Sequence, residues 1–148
     1  MQKAIYFDMD GTIADLYGVE DWLPKLRAYD ASPYMEAKPM LHLSTLARLL
    51  NQLQRDGYIL GIISWVSAVS TPAYDEAVAE AKMAWLAKHL PSVKWDEVHI
   101  TPYGVVKSEV ADLPQGILFD DNRQVRESWR SGQAYEPMSI INILKGLA

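Results

Sequence analysis

Four short apolar runs, separated by helical patterns, constrain the fold of this chain more than any other feature of its sequence. The runs span residues 3–8, 58–63, 97–101 and 116–120 and are almost continuously apolar. Such runs are typical of strands that are buried on both faces of a parallel sheet, whereas half-exposed strands alternate. Helical segments between strands indicate β-α-β units. The sequence therefore predicts an α/β fold, a Rossmann-like three-layer sandwich around a mostly parallel central sheet.

The segments between these runs show helical periodicity. The predicted helices span residues 43–55, 73–90, 122–131 and 139–147. In the first of them, leucines recur at i, i+3, i+4 and i+7 from Leu46 to Leu53, which is the spacing of one helix face. The longest helix carries an apolar stripe that we assign to core packing. The members of this stripe are Val78, Ala81, Trp85 and Leu86.

Residues 15–40 fit the alternation of strands and helices least well. Pro24, Pro33 and Pro39 interrupt any long helix in this segment, which is also rich in aromatic residues. We expect a short insertion that forms a small cap beside the carboxyl ends of the strands. The insertion is too short for a large helical cap domain, so we predict a site that is only partly covered.

Acidic residues lie at the ends of the first and fourth apolar runs, where both strands are expected to end. Asp8 closes the first run and Asp10 comes two residues later, with Gly11 placed to turn the chain. Asp120 closes the fourth run and Asp121 follows it. Ligands of α/β proteins bind at the carboxyl ends of strands. Carboxylates this close repel each other unless a cation or a shared proton relieves them. The pattern therefore suits a nucleophilic aspartate, a neighbouring acid or base and a Mg²⁺ ion.

A calcium loop of the EF-hand type is an alternative for the first acidic pair. Such a loop lies between two helices and has its glycine at the sixth position. Here Gly11 comes two positions early and an apolar strand precedes Asp8. These two departures exclude the EF-hand interpretation.

The segment Asp8-Met9-Asp10-Gly11-Thr12 matches DxDx[TV], the first motif of the haloacid-dehalogenase (HAD) superfamily of phosphotransferases. The chain resembles that superfamily in three further places. Ser64 ends the second apolar run, Lys107 is a candidate for the basic residue, and Asp120 and Asp121 form the later acidic pair. These features occur in the order that the superfamily requires.

The resemblance implies a role for each of these residues. Asp8 would be the nucleophile that takes the phosphoryl group, and Asp10 would protonate the leaving oxygen and then deprotonate the attacking water. A dehalogenase lacks this second aspartate, so Asp10 favours phosphate chemistry. Ser64 and Lys107 would hold phosphoryl oxygens. The residues implied at a Mg²⁺ site are Asp8, Asp10 through its backbone carbonyl, and Asp120, with Asp121 and Thr12 supporting them.

Other interpretations exist for the less specific members of this set. A serine at the end of a strand often caps a helix or bonds to the backbone, and most lysines are solvated surface charges. Lys94 is the other downstream lysine, but it precedes the third run and is worse placed than Lys107. Trp65 follows Ser64 directly and either packs in the core or faces the substrate.

The second half of the chain resembles the 5′(3′)-deoxyribonucleotidases and related members with a short cap. The similarity lies in residues 82–90, in the strand Val98-His99-Ile100-Thr101 and in the run that ends at Asp121. Two departures separate this chain from those enzymes. They have Thr-Ser-Pro where this chain has Ser64-Trp65-Val66, and their segment between the first two motifs is longer.

Aromatic residues near the expected site suit a flat group attached to phosphate. Tyr17 and Trp22 lie in the 15–40 segment, and Trp65 is expected at the same mouth. Stacking of a base on an aromatic side chain is worth about 1–3 kcal/mol. We therefore predict a preference for nucleoside monophosphates over small sugar phosphates. The alternative is that the rings only pack the segment onto the core.

Composition limits the remaining classes of function. The net charge of −5 argues against binding of extended nucleic acid through its phosphates. No apolar run is long enough to cross a membrane, and the first residues do not match a signal peptide. The absence of cysteine fits a reducing compartment. With a length of 148 residues, these features predict a single-domain cytoplasmic protein. The resemblance implies that it acts on a small phosphorylated substrate.

The function predicted from these residues is hydrolysis of a phosphate monoester by a Mg²⁺-dependent phosphatase, through a phospho-aspartate intermediate. Two alternatives stay open at this point. One is a non-catalytic binding module with the same fold, which the full set of charged motif residues disfavours. The other is a phosphatase acting on nucleic-acid ends, which the acidic net charge disfavours.

Overall fold

The computed structural model describes residues 2–148, and within them a five-stranded parallel sheet forms the centre of the fold. The strands of the chain are β1 (Lys3–Phe7), β2 (Ala14–Asp15), β3 (Lys38–Pro39), β4 (Tyr58–Trp65), β5 (Glu97–Thr101), β6 (Ile117–Phe119) and β7 (Gln133–Tyr135). The order across the central sheet is β5-β4-β1-β6-β7, with parallel pairing throughout. Strand β1 is therefore central, and the residues that follow it lie in the middle of the carboxyl edge.

Helices cover both faces of this sheet. They are α1 (Trp22–Arg27), α2 (Ser32–Glu36), α3 (Leu43–Arg55), α4 (Pro72–His89), α5 (Lys107–Val110), α6 (Arg123–Ser128) and α7 (Ile140–Leu147). Because side chains alternate along a strand, Ile5 and Phe7 of β1 pack with α3, α4 and α7. Tyr6 of β1 packs on the opposite face with residues of α6. The predicted α/β three-layer fold is confirmed.

Side-chain caps begin the two helices that matter most for the site. The Thr71 hydroxyl accepts the backbone N–H of Tyr74 at the start of α4 (3.1 Å). The Asn122 carboxamide oxygen accepts the N–H of Val125 at the start of α6 (3.2 Å). Each cap satisfies a backbone donor that the helix itself leaves free. Asn122 thereby starts a helix directly after the acidic pair.

Several predicted boundaries differ from the observed ones. Strand β4 continues to Trp65, two residues beyond the predicted run, and α6 ends at Ser128 rather than at residue 131. The edge strand β7 was not predicted, because three residues with the sequence Gln-Ala-Tyr carry no strand periodicity. The predicted core stripe on α4 is buried at Val78, Trp85 and Leu86.

Residues 14–39 form a small layer at one end of the sheet. Strands β2 and β3 pair antiparallel and close this segment at its two ends, and α1 and α2 lie between them. Leu16, Leu26 and Tyr34 pack against residues after β4 and on α4. The Tyr74 hydroxyl also donates to the carbonyl of Asp30 (2.9 Å). These contacts hold the segment against α4, beside the carboxyl edge.

No helix in residues 2–148 has the length and hydropathy needed to span a membrane.

Candidate active site

Parallel pairing brings the two acidic motifs together at the carboxyl edge of the sheet. Phe7 pairs with Phe119, and the N–H of Asp8 donates to the carbonyl of Phe119 (2.9 Å). Asp8 therefore lies beside Asp120, although the two are far apart in sequence. Both side chains are buried. The structure thus places the acids where the sequence pattern predicts them.

Gly11 makes the turn between the first two aspartates and the rest of the chain. Its φ of +77° lies in the left-handed region that favours glycine. A Cβ at this position would collide with the carboxylate of Asp121 and the ring of Tyr17. Glycine is therefore required twice, once by the backbone and once by the close approach of Asp121.

Thr12 connects the two acidic motifs through its hydroxyl. It donates to Oδ2 of Asp8 (3.1 Å) and accepts the backbone N–H of Asp121 (3.2 Å). The residue is buried. Thr12 thereby fixes one carboxylate oxygen of Asp8 relative to the loop after β6.

Lys107 inserts a positive charge between the two buried aspartates. Its Nζ donates to Oδ1 of Asp8 (2.9 Å) and to Oδ2 of Asp120 (2.7 Å), and the side chain is 3% exposed. Burial lowers the pKa of Lys107, but Asp8 and Asp120 outweigh it, so the pKa is raised and the ammonium stays charged. Lys94, the alternative cation from the sequence, is exposed.

Three carboxylates form a group that could hold a cation. Oxygens of Asp8, Asp120 and Asp121 all lie within 4.8 Å of one another. Burial, and then repulsion from Asp8, raises the pKa of Asp120 to about 6 and that of Asp121 to about 7. Lys107 offsets only part of this negative charge. A hard divalent cation with oxygen ligands fits the remaining need.

A second buried lysine, Lys82 of α4, lies behind the site. Its three N–H groups donate to Oδ2 of Asp10 (2.8 Å), to Oγ of Ser64 (2.6 Å) and to the carbonyl of Trp65 (2.7 Å). The side chain is 1% exposed. Burial raises the pKa of Asp10 above its ordinary value, although Lys82 acts in the opposite direction. Lys82 is not among the site residues predicted from the sequence.

Ser64 is fully buried at the carboxyl end of β4. Its hydroxyl accepts from Lys82 and it is not among the residues that line the cavity above the acids. Ser67, three residues later, does line that cavity, and its hydroxyl accepts the N–H of Val69 (3.1 Å). Phosphate binding by Ser64 therefore stays a prediction.

A cavity of about 300 Å³ opens above the carboxylates. Asp8, Asp10, Asp120 and Asp121 lie at its polar end, and Lys107 is the only cationic side chain of residues 2–148 that lines it. The remaining lining residues are largely apolar. Their aromatic members are Tyr17, Trp22, Tyr34, Trp65 and Tyr103.

The aromatic side chains predicted to face the substrate all line this cavity. Tyr17 and Trp22 meet edge to face, with ring centroids 5.0 Å apart. The Trp65 indole N–H donates to the carbonyl of Val105 (2.8 Å), and the ring centroids of Trp65 and Tyr103 lie 5.0 Å apart. The ammonium of Lys107 lies 5.3 Å from the Trp65 ring centroid. Trp65 is therefore anchored by a hydrogen bond, whereas Tyr17 and Tyr103 offer more than half of their surface to solvent.

A second acidic group of residues 2–148, formed by Glu97, His99 and Asp112, lies outside the cavity. Glu97 accepts the hydroxyl of Tyr6 (2.7 Å) and the backbone N–H of Asp112 (3.1 Å). Its other contact is with His99 at 2.8 Å. These bonds link β1 and β5 to the loop before β6, which accounts for the clustering of the three residues.

Comparisons with known proteins find relatives by structure alone, since no family model and no curated protein matches the chain. The chain is similar to D,D-heptose 1,7-bisphosphate phosphatase from B. bronchiseptica, solved with magnesium and phosphate (TM-score 0.55, 12% identity, 99% of each chain covered). It is also similar to D,D-heptose 1,7-bisphosphate phosphatase from Burkholderia thailandensis (TM-score 0.52, 15% identity, covering 86% of this chain and 71% of that one).

A provisionally assigned HAD-like phosphatase from Mesorhizobium loti is similar as well (TM-score 0.54, 14% identity, 90% of this chain and 69% of that one). Identities this low carry information about the fold and not about the substrate. The chain thus has the HAD-like fold that its four motifs predict.

Proposed function

We propose that this protein is a Mg²⁺-dependent phosphatase that hydrolyses a phosphate monoester through a phospho-aspartate at Asp8. The observation that carries the proposal is the position of the Asp8 carboxylate. It lies at the polar end of a cavity, with Lys107 on one oxygen and Thr12 on the other. A carboxylate held in this way is oriented for attack, and a cation stands beside it to offset phosphate charge.

The proposed reaction has two steps. In the first, an oxygen of Asp8 attacks phosphorus, the bond from phosphorus to the leaving oxygen breaks, and Asp10 donates its proton to that oxygen. In the second, Asp10 accepts a proton from water as the water oxygen attacks phosphorus, and the bond to Asp8 breaks. Inorganic phosphate leaves, and Asp8 and Asp10 return to their initial states. Lys107 balances charge on the phosphoryl oxygens in both steps.

The chain's own donors fit a Mg²⁺ ion, because three carboxylates cluster here with one lysine beside them and the pKa values of Asp120 and Asp121 are raised. Asp8 and Asp120 would bind it, together with the backbone carbonyl of Asp10, and Asp121 would support them. When bound, Mg²⁺ supplies charge stabilisation for the phosphoryl oxygens. Magnesium in the B. bronchiseptica phosphatase supports this choice of metal.

Hydrolysis of p-nitrophenyl phosphate with and without Mg²⁺ tests the proposed activity directly. We expect turnover that requires Mg²⁺ and that EDTA removes. Binding of inorganic phosphate without any hydrolysis would instead support the non-catalytic module.

Mg²⁺ is expected to stabilise the folded protein as well as to activate it. A ligand that binds only the native state contributes about 2.7 kcal/mol at roughly a hundred times its Kd, which for a domain of this size raises Tm by roughly 5–10 °C. Asp120→Asn should remove most of the increase, as measured by differential scanning fluorimetry. Asp112→Asn, in the acidic group outside the cavity, is the matched control and should keep it. A Tm that does not change with millimolar Mg²⁺ would contradict the metal site.

The cavity favours a substrate with one phosphate group and a flat, weakly polar remainder. A second phosphate would need a second cation, yet four acids and one lysine line the cavity in the described part of the chain. Aromatic and aliphatic walls offer stacking surfaces rather than the many hydrogen-bonding groups that a sugar needs. We therefore propose nucleoside monophosphates as the substrate class, in contrast to the bisphosphate named for two of the similar structures.

A comparison of substrates checks this assignment. We expect kcat/KM for a deoxynucleoside monophosphate to exceed that for a hexose phosphate or bisphosphate by roughly tenfold or more, the equivalent of one good stack. Trp22→Ala should reduce the ratio of the two values. Tyr29→Ala changes an exposed ring of the same segment that does not line the cavity, and it should leave the ratio unaltered. Equal values for all substrates would contradict the assignment without affecting the phosphatase chemistry.

A further inference from the structure

We infer that Lys82 is a positioning residue for the acid and base Asp10, an inference that rests on the proposed function. The ammonium of Lys82 joins three elements that come from distant parts of the sequence. It holds Oδ2 of Asp10 in the loop after β1, and both Oγ of Ser64 and the carbonyl of Trp65 at the end of β4. Its own backbone belongs to α4.

Burial of the Lys82 ammonium destabilises the folded protein unless its contacts offset the loss of hydration. Moving an unpaired ammonium out of water is strongly unfavourable, and Lys82 is 1% exposed. An ammonium has three N–H donors, and each has an oxygen partner within 2.8 Å. The ring of Tyr34 lies below it, with the centroid 5.0 Å from Nζ. This set of partners defines a single position for the charge.

Lys82 acts from behind the cavity wall and not from inside it. Asp10, Tyr34 and Trp65 line the cavity, whereas Lys82 and Ser64 do not. Lys82 therefore does not reach the substrate. Its contact with Oδ2 leaves Oδ1 of Asp10 to face the leaving oxygen. The lysine fixes which oxygen of Asp10 transfers the proton and where that oxygen lies.

The two buried lysines contact different aspartates of the site and are expected to have different roles. Lys107 contacts the proposed nucleophile and the metal-binding aspartate, whereas Lys82 contacts the acid and base. Loss of Lys107 should slow every substrate. Loss of Lys82 should slow only those substrates whose leaving group needs a proton, because its effect passes through Asp10.

The test compares two phosphate esters that differ in their need for a general acid. The leaving group of a simple alkyl phosphate is a strongly basic alkoxide, so its departure depends on protonation. The leaving group of p-nitrophenyl phosphate is p-nitrophenolate, which departs without protonation. For Lys82→Met we expect kcat/KM on the alkyl ester to fall by roughly 10²-fold, in keeping with the cost of a misplaced catalytic group. For p-nitrophenyl phosphate the decrease should be less than about threefold, since general acid catalysis is not required there. The parameter kcat/KM covers only the steps through release of the leaving group.

Three controls make the comparison decisive. The ratio of the two kcat/KM values does not depend on how much of the variant is folded. Asp10→Asn should show the same leaving-group dependence. The double variant Asp10→Asn/Lys82→Met, which removes both charges of the pair, should be no slower than Asp10→Asn alone. Lys88→Met changes an exposed lysine on the same helix and should behave like the native protein.

An equal decrease on both esters for Lys82→Met, beside a selective decrease for Asp10→Asn, would overturn the positioning role while leaving the phosphatase mechanism intact. Additive losses in the double variant would overturn it as well, because Lys82 would then act independently of Asp10. If the native protein hydrolyses neither ester, the proposed function fails and not this inference alone.

Discussion

Asp8→Asn is expected to abolish turnover of every phosphate monoester that the native protein hydrolyses. An amide oxygen cannot form the phospho-aspartate, and loss of a covalent nucleophile reduces kcat by more than about 10⁴-fold. The asparagine has the same shape and can still accept from Thr12, which now contacts Oδ2 of Asp8. The fold should therefore persist. Steady-state kinetics on p-nitrophenyl phosphate measures the loss of turnover, and circular dichroism of the same sample measures retention of the fold.

A Thr12→Ser variant serves as the control for small disturbances around Asp8. It retains the hydroxyl that bonds Asp8 and the N–H of Asp121, so it should stay within about tenfold of native kcat, well short of the loss that removal of a nucleophile brings. Activity of Asp8→Asn at a comparable level would mean that the carboxylate of residue 8 is not the nucleophile.

Lys107→Met is expected to cost both activity and stability. Removal of one preorganised cation or donor from a charged transition state lowers kcat by roughly 10²–10³-fold. The same change leaves two buried carboxylates, those of Asp8 and Asp120, without their shared partner. Breaking a buried ion pair from one side destabilises a protein by about 3–5 kcal/mol. Urea unfolding measured without Mg²⁺ should show this loss.

Addition of Mg²⁺ should recover part of the lost stability of Lys107→Met, because a second cation then faces the same carboxylates, but it should not restore the rate. Lys94→Met is the matched control, since Lys94 is exposed and was the competing candidate for the basic residue. A stable Lys107→Met protein with native activity would show that the buried lysine has neither role.

The position of the acidic groups could be predicted from the sequence because two local signals determine it. Apolar runs mark the buried strands, and the carboxyl ends of parallel strands meet at one edge. Asp8 and Asp120 each follow such a run, so their proximity requires only that β1 and β6 be neighbours. Lys107 was placed by its order among the motifs of the superfamily, and its contacts with both aspartates agree with that placement.

Lys82 could not be found in this way, because the partners that give it a role are far away in sequence. It lies on α4 beside residues of the apolar stripe, and its partners Ser64 and Asp10 are 18 and 72 residues away in sequence. Only the packing of α4 against β4 and the loop after β1 brings them together. The signal that was available is the position of a lysine on the buried face of a helix, between Val78 and Trp85.

The short elements of the fold were missed for a related reason. Strands β2, β3 and β7 contain two or three residues each, which is too few for any periodicity. Strand β7 forms because its backbone adds to the edge of β6. The pair β2–β3 forms because the two ends of the 15–40 segment must meet again beside the sheet.

The measurement that tests the covalent mechanism most directly is the stereochemical course at phosphorus. A phosphorothioate monoester that is chiral at phosphorus, with sulfur and two different oxygen isotopes, is hydrolysed with Mg²⁺ in water that carries the third oxygen isotope. The configuration of the chiral inorganic thiophosphate released is then determined by phosphorus NMR. Attack by Asp8 followed by attack of water gives two inversions, so the account predicts net retention. Net inversion would mean that water attacks the substrate directly, and it would contradict a phospho-aspartate at Asp8.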